Sequence, residues 1–297
     1  MVESDGLENR YGSNPIEGSN PSFSATLVVH KPHINMINFT TYSILSLVSL
    51  FVLCSCTDQS VSVNQTGTAN ISIQHVFSDK PFVLGKQYTL PTGEQINASM
   101  LRYYMSNIIL EKSDGSRYVI PQDASYFLVD EKIPTSKVLK LSSIPTGTYT
   151  KLYLTIGVDS LRCTMGLEKR TGVLDIGAAA QDMYWSWNSG YIHFKMEGTF
   201  TAPSGLTGDM RFHVGGFGGY SSPTINAVRN ISLDLSNTPL IINENGSKTL
   251  HLNADLQKVF TGKQSFSVAE NSSVMFSNFS TTIADNYATM FSVLTID

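Results

Sequence analysis

The sequence predicts an all-β fold, an antiparallel β-sandwich with short helices in a single domain. Three observations predict it. Apolar and polar residues alternate with a period of two along many short segments, turn signals separate those segments, and no linker interrupts the chain beyond about residue 70.

The first predicted strand is 71–77, where Ile71, Ile73 and His75 share one face. A second spans 101–110, and the Asp114-Gly115 turn leads to shorter ones at 118–120 and 126–129. After Pro145-Thr146-Gly147, Leu152, Leu154, Ile156 and Val158 alternate with Lys151, Tyr153, Thr155 and Gly157, the pattern of a strand with one buried face that ends at Asp159. Further strands are expected at 191–198, 210–214, 231–235 and 249–253, with Pro-Ser-Gly and Asn-Gly turns between them. Short helices are expected near 254–260 and 283–291.

The segment MYWSWNSGYIHFKMEG, 183–198, holds both tryptophans of the chain. In an extended backbone Trp185 and Trp187 share a face, with Tyr184, Ser186 and Asn188 on the other. Such a face either fills a sandwich core or forms a binding surface.

The first seventy residues read as processing segments rather than fold. Residues 44–53, ILSLVSLFVL, are apolar but too short for the roughly 20 residues that cross a bilayer. They run into Leu53-Cys54-Ser55-Cys56, a lipobox, so 36–55 is read as a lipoprotein signal peptide and Cys56 as the lipidated residue; an ordinary secretory signal or membrane anchor is the alternative. Residues 56–70 are polar and are read as a flexible tether ahead of a sandwich domain at 71–297. Upstream, 1–35 is turn-rich and carries GSNP twice, a tetrapeptide that the T-arm of a transfer-RNA gene encodes in one frame. It is read as spurious upstream translation, with the true start at Met36 or near Val29.

The formal charge of −4, from 20 basic and 24 acidic residues, and the lack of a basic patch argue against nucleic acid. With Cys54 removed and Cys56 lipidated, Cys163 is the one remaining thiol, so no internal disulfide is expected; it is placed in a surface loop and read as no ligand. No Ser-His-Asp order, zincin helix, phosphate loop or carboxylate pair is visible, and the expectation is a binding protein rather than an enzyme.

Four histidines lie beyond the leader. His75 is expected to point into apolar surroundings, where a neutral imidazole suits copper or zinc. His193 shares its face with Lys195 and Glu197, His251 with Thr249 and Asn253, and both are expected to face solvent. His213 stands opposite the core face of Met210, Phe212 and Val214, just before the bend-prone GGFGG.

Taken in order, LRYYMSNIIL (101–110), the Asp114-Gly115 turn, YFLVDE (126–131), TIGVDS (155–160), GVLDIG (172–177), the tryptophan segment and FHVGG (212–216) resemble the MbnP-like copper-binding proteins of methanobactin gene clusters. That resemblance implies a lipid-anchored protein of the cell envelope, periplasmic or on the outer membrane, serving copper acquisition or storage. It implies copper on His75 and His213 and on a kynurenine made from Trp185 or Trp187 by a di-haem oxidase of the MbnH type. An indole nitrogen has its lone pair tied into the ring, whereas the aniline nitrogen of kynurenine can coordinate. A TonB-dependent transporter is a further implied partner. His193 departs from the family pattern, being either an extra ligand or a surface histidine. A second expectation, from another class, is a metal-free envelope module whose aromatic face grips a carbohydrate or a protein.

Overall fold

The computed structural model describes residues 65–186 and 188–297. The expectations for 1–35, the signal peptide 36–55, Cys56, the tether up to residue 64 and Trp187 lie outside the described residues. The strands are β1 (Thr66–Phe77), β2 (Lys80–Pro81), β3 (Gln87–Thr89), β4 (Gln95–Lys112), β5 (Arg117–Val119), β6 (Tyr126–Asp130), β7 (Val138–Pro145) and β8 (Gly147–Ile156). After helix α1 (Ser160–Thr164) come β9 (Tyr184–Ser186), β10 (Gly190–Thr201), β11 (Thr207–Gly215), β12 (Arg229–Asp234), β13 (Leu240–Ile242) and β14 (Ser247–Asp255). The chain closes with α2 (Lys258–Thr261), β15 (Ser273–Val274), α3 (Phe279–Tyr287) and β16 (Phe291–Ile296).

Two sheets form. The smaller runs β16-β14-β1-β2 with β7 also on β1, and the larger runs β12-β8-β4-β10-β11-β15 with β3, β5 and β6 on β4, β13 on β8 and β9 on β10. The fold is all-β, as expected, but its pairing is mixed: β1 runs parallel to β14, and β11 parallel to β15. Parallel pairing needs a long crossover, and here nearly the whole larger sheet lies between β1 and β14.

Apolar side chains of both sheets meet in one main core, to which β1 gives Ala69, Ile71 and Ile73, β4 gives Leu101, Tyr103 and Met105, and β11 gives Met210, Phe212 and Val214. The larger sheet has a second buried side. The segment from Val158 through α1 and β9 folds over its outer face and closes a smaller core around Tyr104, Cys163, Met183, Tyr191 and Ile192. Asp159 caps α1 by accepting from the Arg162 N–H at 3.0 Å.

Several expectations are corrected. The first strand begins at Thr66, so the last residues assigned to the tether are sheet. Cys163 is no surface thiol: it is buried in α1, and burial pushes its thiol up to about 12. The helix near 283–291 begins at Phe279 and ends by Tyr287, and Phe291 opens a strand. The tryptophan segment is a hairpin, not one strand, since β9 stops at Ser186 and the chain turns back to pair Gly190 with Ser186 and Tyr191 with Tyr184.

Candidate functional site

The outer face of β10 and β11 carries a chain of opposite charges. Strand pairing sets Arg102, Lys195 and His213 side by side across β4, β10 and β11, and side chains facing one another across strands share a face. His213 bonds Glu197 Oε1 through Nε2 at 2.7 Å, and Lys195 Nζ lies 3.5 Å from the same oxygen. Lys195 also reaches Asp182 Oδ2 at 3.3 Å, and Arg102 pairs with Asp182 and stands 3.2 Å from Asp130 Oδ2. Burial pushes the Glu197 carboxyl up, but the His213 bond and the Lys195 charge outweigh it and hold Glu197 below the usual range. Asp182 is likewise held low, the burial cost being outweighed by Arg102 and Lys195.

Trp185 joins this face. A Cβ placed on Gly215 would meet Trp185 Cζ3 at 2.8 Å. Gly215 is two residues beyond His213 on β11, hence on the same face and roughly 7 Å along. Only a glycine leaves room for the indole there. The ring meets Phe276 edge-on at 5.5 Å, and Phe276, Met275 and Tyr220 are exposed. The hairpin is pinned by Asp182 at one end and at the other by Asn188 Oδ1, which accepts from the N–H groups of Tyr220 (2.9 Å) and Ser221 (2.8 Å).

His75 points inward, as its alternation predicts, yet its surroundings are polar at both ring nitrogens. Nδ1 stands 2.5 Å from Glu131 Oε2 and Nε2 2.8 Å from the Tyr103 hydroxyl. Burial lowers the imidazole pKa, opposed by Glu131, so the ring is neutral: Nδ1–H donates to the carboxylate, and the Tyr103 O–H donates to Nε2. Lys137 Nζ pairs with Glu131 at 3.1 Å.

His193 was expected at the surface and is wholly buried instead. The register of β10 on β11 slips between Ile192 and Phe194, so His193 is an extra residue in a β-bulge. Ile192 consequently packs in the outer core and Phe194 in the main core, although two residues apart. Nδ1 of His193 accepts from the Val158 N–H at 3.2 Å, and Nε2–H donates to the Gly216 carbonyl at 3.0 Å. Both nitrogens are spent on backbone, which leaves none for a metal.

The structure does not bring His75 and His213 together. Tyr103, which holds His75, packs with Phe194 in the main core, while Arg102 and Lys195, one residue along on each strand, stand with His213 on the other face. The sheet itself separates the two imidazoles, so they do not fit a single copper site. Among the described residues no group of three His, Cys, Asp or Glu side chains could hold a metal ion. His213 and Trp185 do share a face. His251 is half-exposed at the other sheet, 3.1 Å from Asp297. Arg102, Asp182, Tyr103 and Glu131 went unnoticed in the sequence because their partners are far off along the chain; the one local signal was Lys195 and Glu197 alternating on the side of β10 that pairs with His213.

No curated protein matches the chain. Among solved structures it is similar to MbnP from Methylosinus trichosporium, with 15% identity over 66% of this chain and 78% of that one and a TM-score of 0.43. The MbnP family profile matches residues 66–276, from the first strand to the Phe276 that touches Trp185, and the chain therefore belongs to the MbnP family.

Proposed function

We propose that this is an envelope lipoprotein that binds copper on the outer face of the larger sheet, through His213 and a kynurenine derived from Trp185 or Trp187, for copper acquisition or storage. One observation carries the reading: Trp185 lies over Gly215, next to His213 on one face. His213 alone is a weak copper site, since a transition-metal centre takes about three protein donors and no such set preexists among the described residues. Ring opening of an indole beside it adds an aniline nitrogen. A di-haem oxidase would supply that oxidation, and the protein is a carrier rather than an enzyme. Glu197, bonded to Nε2, favours the His213 tautomer whose Nδ1 bears the free lone pair.

The test is copper titration of protein made with and without a di-haem oxidase, alongside mass spectrometry of the 183–198 peptide. Oxidised protein is expected to bind tightly and show the mass change of kynurenine. His213→Ala should weaken binding by about one to two orders of magnitude, and His75→Ala should leave it unchanged. If His75→Ala abolishes binding and His213→Ala does not, the site is on the wrong face. The exposed Phe276 against Trp185, with exposed Met275 beside it in the chain and exposed Tyr220 bonded through its backbone to Asn188, favours a second reading, a metal-free module gripping a carbohydrate or a protein. Oxidised protein that binds no copper would select it.

A further inference from the structure

Tyr103 is fully buried, with Phe194 stacked at 6.0 Å and Phe291 edge-on at 6.1 Å, and its hydroxyl faces a base, His75 Nε2, at 2.8 Å. That base is backed by the Glu131 carboxylate at 2.5 Å. The residue after Tyr103, Tyr104, opens a row of aromatic rings on the other side of the sheet. Tyr104 meets Tyr191 at 5.6 Å, Tyr191 meets Tyr184 at 5.1 Å, and Tyr184 is bonded through the backbone to Trp185, whose ring reaches the exposed Phe276. Rings this close pass an electron readily, so the row runs from the surface near Trp185 inward to Tyr104, and one peptide unit across the sheet separates Tyr104 from Tyr103.

The tyrosines of the row differ in where a phenolic proton can go. The Tyr104 and Tyr191 hydroxyls donate to the carbonyls of Val173 (2.9 Å) and Leu174 (2.7 Å), which do not accept a proton outright. The Tyr184 oxygen accepts from the Arg170 guanidinium at 2.9 Å, and a guanidinium has no lone pair with which to take up the phenolic proton. Tyr103 has His75.

We propose that Tyr103 is a proton-coupled redox site. A high-potential one-electron metal oxidant near Trp185 draws an electron through Tyr184, Tyr191 and Tyr104, and the hole comes to rest on Tyr103 as a neutral tyrosyl radical. The step balances: one electron goes to the oxidant, the Tyr103 O–H bond breaks, and its proton forms an N–H bond at His75 Nε2. The resulting imidazolium is paired with Glu131, and Lys137 holds that carboxylate in place. Burial and the Glu131 charge hold the Tyr103 phenol protonated at rest, so its proton leaves only together with the electron. The site would draw stray oxidising equivalents away from the surface aromatics. It stands independently of copper binding.

The experiment is flash oxidation of the purified protein by photogenerated ruthenium(III) tris-bipyridine, read by electron paramagnetic resonance. Wild type should give a neutral tyrosyl radical that forms more slowly in heavy water and shows a deuterium coupling from its hydrogen bond. Tyr103→Phe should lower the tyrosyl yield at least tenfold, His75→Gln should slow its formation by about a hundredfold, the scale of a positioned base, and the exposed Tyr220→Phe should change neither. An unchanged tyrosyl signal in Tyr103→Phe overturns the proposal. If either buried variant fails to fold, Tyr126→Phe and Tyr153→Phe decide, because their hydroxyls also donate to carboxylates, at 2.6 and 3.0 Å: both should keep the heavy-water effect and the deuterium coupling, and loss of these in either one overturns the proposal. Copper affinity does not enter any of these readouts.

Discussion

Burial draws the His193 pKa down to about 4, with only partial relief from its bond to the Gly216 carbonyl, so the ring is uncharged at neutral pH. In the unfolded chain the same imidazole titrates near 6.5. Between those values the unfolded state binds more protons than the folded one, and stability therefore rises with pH. Above pH 6.5 the contribution is fully present, and it is lost as pH falls toward 4, at a cost of about 3 kcal/mol. Urea unfolding of wild type and His193→Gln at neutral and mildly acidic pH checks this; the glutamine amide can serve both backbone partners without titrating, so the variant should show a flatter profile. A residual slope of the same sign comes from His75, whose pKa is also lowered, and at the acid end from carboxylates held low such as Glu131 and Glu94. The orientation of His213 was legible because β11 alternates without interruption. That of His193 was not, since a bulge changes parity and depends on the partner strand rather than on the residues around it.

Long strands with one face in the main core were readable from their period: β8, β11 and β14 fall where alternation places them, while β1 begins five residues earlier and β10 keeps its period only beyond the bulge at His193. Elements of two or three residues, such as β2, β3, β13 and β15, are shorter than the pattern needed to detect them. Loops without a pattern can still be fixed by a single side chain, and Glu94 is one. Its buried carboxylate accepts from the N–H groups of Val268 (3.0 Å) and Ala269 (2.8 Å) and the hydroxyls of Ser267 and Thr92 (2.9 Å each). Burial pushes this carboxyl up, but these donors outweigh it and hold Glu94 below the usual range. Glu94→Ala leaves two backbone donors unpaired and should cost about 2 to 3 kcal/mol. Hydrogen exchange should show the amides of Val268 and Ala269 losing protection first; if exchange there matches wild type, the carboxylate does not hold the loop.

At the scale of the molecule, the family match stops at residue 276 while the fold continues. Beyond it, α3, β16 and the short segment between them carry Ile283, Ala284, Tyr287, Met290 and Phe291 into the core, and β16 forms the edge of the smaller sheet against β14. Large apolar side chains contribute about 1.5–3 kcal/mol each, so together these approach the about 5–15 kcal/mol by which a domain is stable. A chain ended at Phe276 should therefore lose cooperative unfolding, as followed by circular dichroism on heating, even though it keeps His75, His213 and Trp185.

The parallel pairing of β1 with β14 also governs when the fold can form. Thr68 bonds Gly246 across 178 residues of chain, and a pairing that distant closes a loop whose entropy must be met before the contact offsets it. Synthesis and any vectorial passage through a pore present β1 first and β14 near the end. During that interval an apolar strand waits without one of its neighbours, a substrate for chaperones and for the matching strand of another copy. Contacts of this span slow folding toward the range of roughly milliseconds to seconds usual for non-local β topologies.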